Sequence, residues 1–166
     1  MIDNIYRGIC DSPVGLLIVE SDGSYLTSIL FNGDDISLSQ DPNGIVANCI
    51  EQLKEYFKGE RKIFDLPLKP DGTDFQQKVW EKVYQIPFGE TKSYGALAVA
   101  LGDAKLNRAV GLANGANPIP IVIPCHRVIG SDGSLTGYAG GLERKKWLLN
   151  HESNYHIVTK GQLKLF

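Results

Sequence analysis

A segment containing two prolines and a terminal glycine, Leu66–Gly72, divides the chain into two halves with different periodicity. Proline and glycine interrupt regular structure, and nothing in this segment repeats at helical or strand spacing, which is typical of a linker. A chain of 166 residues is long enough for one domain or for two small ones. We therefore predict an N-terminal domain with its linker over residues 1–72 and a C-terminal domain over residues 73–166.

The N-terminal half has the pattern of a small antiparallel sheet followed by a helix, an α+β domain. Three runs rich in apolar and β-branched residues predict strands: Ile5–Cys10, Leu16–Glu20 and Tyr25–Phe31. Asp22-Gly23, between the second and third runs, is a hairpin signal, and Asn32–Asp35 then breaks the pattern. The apolar residues of 45–57 follow helical spacing up to Gly59, which is a plausible stop.

Two short helices in the C-terminal half form a helix-turn-helix pattern. Ser93 is the predicted N-cap of a helix over Tyr94–Leu101, Gly102 breaks it, and a second helix runs from about Lys105 to Asn114. The second helix has few bulky polar side chains, so it can approach another surface closely. Two helices of this length, taken alone, are more often structural than DNA-binding.

The remainder of this half is mostly helical. Thr73 and Gln76 have the spacing of a capping box at a helix start. Ser131–Thr136 contains a turn, and Leu142 to about His151 is predicted to be a helix. Tyr155–Phe166 beyond it is expected to be a strand or an ordered tail, without an assigned function.

Charge is unevenly divided between the halves. Residues 1–72 carry 6 Lys/Arg against 12 Asp/Glu, whereas residues 73–166 carry 11 against 7, which together give the net charge of −2. A basic surface suits a polyanion and an acidic surface does not. If the protein binds nucleic acid, the C-terminal half is therefore expected to make the contact.

The cysteine and histidine pattern argues against disulfides and metal sites. The three cysteines are sparse and odd in number, which favours a reducing compartment. No Cys-x-x-Cys pair is present, and the three histidines do not form a His-x-x-x-His pair, so no zinc site is expected. Cys10 and Cys49 are predicted to fill space. The chain has no apolar stretch long enough for a membrane span and no apolar leader, so we expect a cytoplasmic protein.

Cys125 is followed directly by His126 and Arg127, after the apolar run Ile119–Ile123. Cations beside a sulfur lower the pKa of a thiol, and the thiolate is the nucleophilic form. Cys125 is therefore a candidate for a reactive sulfur. The alternative is a buried cysteine that packs as a small hydrophobe, and these few residues alone do not decide between the two.

The wider context of Cys125 resembles a known family. Asn117–Val128 (Asn-Pro-Ile-Pro-Ile-Val-Ile-Pro-Cys-His-Arg-Val) is similar to the active-site segment of the O6-alkylguanine-DNA alkyltransferases, also called methylated-DNA–protein-cysteine methyltransferases. The resemblance continues, in the family's order, through Ser93-Tyr94, Arg108–Gly111, Tyr138–Gly141 and Lys145–Glu152. It covers most of residues 73–152, whereas the first half resembles the family only in its layout.

The resemblance implies a C-terminal domain of winged helix-turn-helix character, with Ser131–Thr136 as a wing-like element and the active site close to the second helix. It also implies catalytic roles. Cys125 would accept the alkyl group, His126 would be a general base through a water, and Glu152 would bond the far nitrogen of His126. The other implied catalytic residues support the turn or the leaving base: Asn117, Tyr94 and Lys145.

A second group of residues is implied to hold the damaged nucleotide. The backbone N–H of Ala139 would bond guanine O6, and the carbonyls of Cys125 and Val128 would accept from the exocyclic amine. Arg108 would fill the space that the extruded nucleotide leaves, because a guanidinium both stacks and donates hydrogen bonds. The remaining implied substrate- or DNA-binding residues are Tyr94, Tyr138, Pro120 and Asn107.

The expected function is stoichiometric DNA repair, in which a methyl or small alkyl group moves from guanine O6, and also from thymine O4, to Cys125. The expected partner is double-stranded DNA carrying alkylated guanine, the protein acting as a monomer without cofactor or membrane contact. Two cysteines and no histidine in the first half predict that it lacks the structural zinc of some relatives. The alternatives are a protein that only recognises alkylated DNA, and a cysteine hydrolase.

Overall fold

The computed structural model describes residues 4–31 and 42–164, and side chains as far as residue 156. The described chain separates into two compact units. The first comprises Met1–Asp71 and Pro118–Pro120, and the second comprises Gly72–Asn117 and Ile121–Phe166. Among the described residues, no helix combines the length and the apolar character that a membrane crossing needs.

The first unit is built on a three-stranded antiparallel sheet with the order β1-β2-β3. Its strands are β1 (Tyr6–Cys10), β2 (Leu17–Ser21) and β3 (Leu26–Phe31). The turn between β2 and β3 is closed by the Asp22 carboxylate, which accepts from the backbone N–H groups of Ser24 and Tyr25 at 2.9 and 2.8 Å. Gly23 takes a φ of 104° there. The predicted strands and hairpin are therefore confirmed, whereas the predicted break at residues 32–35 lies outside the described residues.

Helix α1 (Gly44–Phe57) covers the sheet, as the apolar spacing predicts. The Asn43 side chain caps it by accepting from the N–H of Val46 at 2.9 Å, and Gly59 follows its end with a φ of 79°. The helix packs closely on β1, because a Cβ added to Gly8 would lie 2.7 Å from Cγ1 of Val46. Cys10 and Cys49 are free thiols buried in this core, in agreement with a space-filling role.

The second unit is mostly helical, with α2 (Asp74–Tyr84), α3 (Tyr94–Ala100), α4 (Asn107–Gly115) and α5 (Leu142–Lys164). A two-stranded parallel pair, β4 (Lys92–Ser93) and β5 (Val128–Ile129), joins the start of α3 to the segment after Cys125. The predicted capping box is present at the start of α2. The backbone N–H of Gln76 donates to the Thr73 hydroxyl oxygen, and the backbone N–H of Thr73 donates to Oε1 of the Gln76 side chain.

Helices α3 and α4 form the predicted helix-turn-helix, but α4 begins two residues later than the sequence suggests. Ala104–Leu106 forms a separate 3-10 turn, capped by the Asp103 side chain, which accepts from the N–H of Lys105. The Trp80 indole N–H of α2 donates to the carbonyl of Ala113 at 2.8 Å and ties α4 to the core. The Ser131–Thr136 segment is a turn, and the described structure places no strand within it.

The end of α5 differs from the prediction. The sequence suggests a helix to about His151 and a strand or tail from Tyr155, but the helix runs to Lys164. Aromatic rings at i, i+4 spacing explain the continuation: His151 stacks on Trp147 with ring centres 4.9 Å apart, and Tyr155 contacts His151 at the same distance. The strand alternative for Tyr155–Phe166 is therefore wrong for the residues described.

We expect Thr73→Ala to lower the free energy of unfolding by about 1 kcal/mol, because it removes one half of the capping box at α2. Urea denaturation followed by tryptophan fluorescence measures the change. Thr73→Ser keeps the capping hydroxyl and should restore most of the stability. Equal losses in the two variants would show that the methyl group, rather than the cap, matters.

Candidate active site

The apolar run before Cys125 is buried, and it places the thiol inside the second unit. Ile121, Val122 and Ile123 are at most 3% exposed, as is Cys125 itself, and His126 is fully buried. Cys125–Arg127 then forms a single 3-10 turn. The apolar run before Cys125 is therefore part of the core around the reactive turn.

The backbone entering this turn is strained and braced. Ile121 has a φ of 74°, in the left-handed region that a β-branched side chain rarely occupies and that costs about 1–3 kcal/mol. Pro124 is the centre of an inverse γ-turn, with the N–H of Cys125 donating to the Ile123 carbonyl at 2.7 Å. Asn117 Nδ2 donates to the same carbonyl at 2.8 Å. Asn117 thus braces the turn that carries Cys125.

The Cys125 thiol is not activated by its cationic sequence neighbour. Burial raises the pKa of Cys125 to about 11, although Asn117 and Lys145 act in the opposite direction. Arg127 is directed to Glu152 instead, so burial rather than a cation adjacent in sequence dominates the pKa of this thiol. At neutral pH the sulfur is therefore a thiol, and it needs a proton acceptor before it can attack.

His126 has the arrangement of a neutral general base. Its Nε2 lies 2.6 Å from Oε2 of Glu152, which fixes the proton on Nε2, because an ionised carboxylate only accepts. Its Nδ1 is buried and has no hydrogen-bond partner among the described residues. Burial lowers the pKa of His126 against the opposite effect of Glu152, and the charges of Arg127 and Lys145 add to the lowering. The lone pair on Nδ1 is therefore unprotonated at neutral pH and available as an acceptor.

Glu152 is held by more partners than the sequence indicates. Arg127 donates to its two oxygens from Nε and Nη2, at 2.8 and 3.0 Å, and the backbone N–H of Gly89 donates at 3.2 Å. Burial favours a higher pKa for Glu152, but His126 and Arg127 outweigh burial and hold the pKa well below its usual range. Arg127 also donates to the Ile86 carbonyl at 2.6 Å. In the sequence Arg127 lies close to Cys125, whereas the fold pairs its guanidinium with Glu152.

Lys145 and Tyr94 form a second polar cluster. The Lys145 ammonium is buried and donates to the carbonyls of Val128 and Thr136 at 2.6 and 2.9 Å, and to the Tyr94 hydroxyl at 3.3 Å. The Tyr94 hydroxyl in turn donates to the Thr136 carbonyl at 2.9 Å. Burial raises the pKa of Tyr94 and lowers that of Lys145. Lys145 thus joins α5, the 128–136 segment and the start of α3.

Asn114, which the sequence did not single out, belongs to the same site. It lies near the end of α4, is 1% exposed, and its Nδ2 donates to the Cys125 carbonyl at 3.1 Å. The second helix of the helix-turn-helix therefore reaches the reactive turn directly. The sequence signal that could have revealed Asn114 is a polar residue at a helix position that faces the core. A buried amide requires hydrogen-bond partners.

The predicted nucleotide-binding residues lie in several parts of the structure. Asn107 and Arg108 are exposed at the start of α4, and Ala139 is exposed in its loop, whereas Tyr138 is buried. Pro120 is buried and belongs to the first unit. Within the described residues, no group of three or more His, Cys, Asp or Glu side chains is placed to hold a metal ion.

Comparison with known proteins assigns both parts of the chain. Residues 74–154 match the family described as 6-O-methylguanine DNA methyltransferase, DNA binding domain. Residues 5–70 match the family described as 6-O-methylguanine DNA methyltransferase, ribonuclease-like domain. The chain belongs to the 6-O-methylguanine DNA methyltransferase family.

Similar methyltransferases come from bacteria and archaea. The methylated-DNA–protein-cysteine methyltransferase of Mycobacterium tuberculosis is 47% identical over 154 residues, which cover 90% of this chain and 92% of that protein. The enzyme of the same name from Methanosarcina acetivorans is 44% identical over 156 residues, covering 90% and 99%.

Solved structures agree with this assignment. The crystal structure of the M. tuberculosis O6-methylguanine methyltransferase has a TM-score of 0.82 and 44% identity, covering 92% of this chain and 94% of that one. A structure of M. tuberculosis OGT in complex with DNA has a TM-score of 0.82 and 46% identity, covering 90% and 94%. The antiparallel sheet and helical second unit of this methyltransferase therefore follow the family's architecture, as predicted.

We expect Arg127→Met to lower the free energy of unfolding by about 3–5 kcal/mol, because it leaves the buried Glu152 carboxylate without its guanidinium partner. Urea denaturation measures the loss. The control is Arg7→Met, which breaks the more exposed Arg7–Glu20 pair of the first unit and should cost about 1 kcal/mol or less. Similar losses of unfolding free energy in both variants would show that the burial of Glu152 does not make the loss of its ion pair more destabilising.

Proposed function

We propose that this methyltransferase transfers an alkyl group from O6 of guanine in double-stranded DNA to the Cys125 sulfur, irreversibly and once per molecule. The observation that carries the proposal is the arrangement of His126, which adjoins Cys125 in one turn. Its Nε2 is bonded to Glu152, while its buried Nδ1 remains open as a proton acceptor. The names and DNA-bound structure of the relatives support alkyl transfer rather than recognition alone.

The chemical step follows from these groups. His126 Nδ1 takes the Cys125 proton through a water, because sequence neighbours cannot easily make a direct in-line bond. The sulfur then attacks the alkyl carbon, so that an S–C bond forms as the C–O6 bond breaks. Glu152 stabilises the imidazolium that results, in the manner of a triad's third member. The product is a thioether, which water does not readily cleave, so the protein is consumed.

The guanine leaves with the bonding electrons and needs a proton or hydrogen bonds in exchange. Tyr94 is proposed to donate toward N3, and the N–H of Ala139 toward O6, close to Tyr138. The Tyr94 hydroxyl bonds the Thr136 carbonyl in this structure, so it must turn toward the base. Lys145 is positioned to stabilise the phenolate, because its ammonium already donates to that hydroxyl.

The alkylated base must leave the duplex to reach a buried sulfur. Asn107 and Arg108 lie exposed at the start of α4, and the small residues of this helix suit close approach to a deformed minor groove. Arg108 is proposed to occupy the vacated stack, and Val128 is proposed to line the nucleotide pocket. Pro120, in the first unit, is proposed as a residue that contacts the DNA. We further propose that the protein acts as a monomer in the cytoplasm, where its three free thiols would stay reduced.

Equimolar mixing with a duplex containing O6-methylguanine should add one methylene group to the Cys125 peptide. Mass spectrometry of the intact protein and its peptides measures the gain, and a second portion of DNA should remain unrepaired. Cys125→Ser is expected to bind the duplex without gaining mass, and Cys49→Ser should react like the original protein. An unmodified Cys125 peptide from protein that binds the duplex tightly would establish recognition without chemistry.

The rate of transfer should hold constant as the pH falls from 7.5 to 6.5 and decline only below the ordinary histidine value of 6.5. Burial lowers the pKa of His126, so its base form persists to lower pH. Single-turnover rates across this range give the profile. His126→Gln should react about 10²- to 10⁴-fold more slowly and lose the acidic decline. A midpoint above 6.5 in the original protein would contradict a neutral resting His126.

A further inference from the structure

The turn that follows α2 supplies one of the hydrogen bonds that hold Glu152. The backbone N–H of Gly89 donates to Oε1 of the Glu152 carboxylate at 3.2 Å. Gly89 has a φ of 80°, in the left-handed region that glycine adopts without strain. The N–H of Glu90 closes the same turn by donating to the Pro87 carbonyl at 3.1 Å. An active-site contact therefore depends on a residue that has no side chain to hold its own position.

The side chain of His156 lies directly against Gly89. A Cβ added to Gly89 would lie 2.4 Å from Cγ, 2.5 Å from Cβ and 2.7 Å from Nδ1 of His156, which are the three nearest atoms outside residues 88–90. Cβ and Cγ are the base of the histidine side chain, so they move only with the helix that carries them. His156 is one helical turn beyond Glu152 on α5, so both side chains face the same turn. His156 thus occupies the space that a side chain at position 89 would fill.

The residues just before Gly89 have supports of their own. Nη1 of Arg127 donates to the Ile86 carbonyl at 2.6 Å, and the guanidinium carbon lies 5.8 Å from the centre of the Phe88 ring. Gly89 comes after these contacts, and glycine has more backbone freedom than any other residue. The side chain that restricts it is therefore that of His156.

The Gly89 N–H acts on the general base through Glu152. Its dipole places partial positive charge beside a carboxylate whose other oxygen lies 2.6 Å from Nε2 of His126. Without that donor, the negative charge of Glu152 would be less compensated and would raise the pKa of His126. The charges of Arg127 and Lys145, which oppose Glu152, would remain in place. Loss of the Gly89 contact therefore favours the imidazolium form, so the proton acceptor would be lost at a higher pH.

We propose that His156 is a positioning residue, whose ring holds the Gly89 N–H on the Glu152 carboxylate and so keeps His126 in the arrangement of a neutral base. The structural part of this inference concerns the free protein, and its effect on the reaction rests on the proposed alkyl transfer. His156 lies beyond residue 154, where the match to the family ends. The continuation of α5 past Glu152 therefore supports the active site without touching the substrate.

The test compares His156→Ala with His156→Phe, which keeps a flat ring but cannot carry charge. NMR of the isotope-labelled free protein gives the exchange rate of the Gly89 amide proton and the pKa of His126. In His156→Ala the exchange should become about 10- to 150-fold faster, the effect of one hydrogen bond to a charged group, and the pKa of His126 should rise. The acidic decline of the single-turnover rate should move to higher pH with it. His156→Phe should keep the original exchange rate and pH profile.

Asn154→Gly is the matched control, because it weakens the same turn of α5 at an exposed position and leaves the histidine ring in place. It should keep the original exchange rate and the original pKa of His126. If either quantity is unchanged in His156→Ala, the proposal is overturned.

Two other results would also overturn the proposal. Equal shifts in His156→Ala and His156→Phe would assign the effect to the charge of His156, and equal shifts in Asn154→Gly would assign it to fraying of α5. An original protein that forms no thioether would instead overturn the proposed function alone, because the NMR measurements do not depend on the reaction.

Discussion

The buried carboxylate of Glu152 is the interaction on which the active site depends. It accepts from the ring of His126, from the guanidinium of Arg127 and from the backbone of Gly89, and so joins α5 to the reactive turn and to the turn after α2. An unpaired buried carboxylate would lower the free energy of unfolding. It would also raise the pKa of the adjacent histidine and so favour the imidazolium form. Burial nevertheless lowers the pKa of His126, and Arg127 opposes part of the effect of the carboxylate. His126 is therefore neutral and oriented, and in the proposed mechanism Glu152 stabilises the positive charge when it forms.

The protonation state of the Cys125 thiol also follows from its burial. Burial raises the pKa of Cys125 to about 11, so the thiol rather than the thiolate predominates near neutral pH. In the proposed mechanism, activation depends on a bound base, a water and His126 together. The strained Ile121 backbone and the Asn117 brace hold the sulfur in place beforehand.

Features set by neighbouring residues could be predicted from the sequence. The hairpin at Asp22-Gly23, the capping box at Thr73 and the start of α3 each depend on side chains within a few residues, and all three are present. The resemblance around Cys125 located the acidic, basic and aromatic groups that the fold brings together. The error at the end of α5 has a local cause, since the stacked Trp147–His151 pair and the edge-on His151–Tyr155 contact favour a helix that continues past His151.

Long-range pairings could not be predicted in the same way. Arg127 was placed beside the sulfur because it is adjacent in sequence, but a 3-10 turn directs it to a carboxylate 25 residues away. Asn114 was overlooked because its partner, the Cys125 carbonyl, is 11 residues further along the chain. Both residues act through buried hydrogen bonds, whose strength depends on the exclusion of water rather than on local pattern.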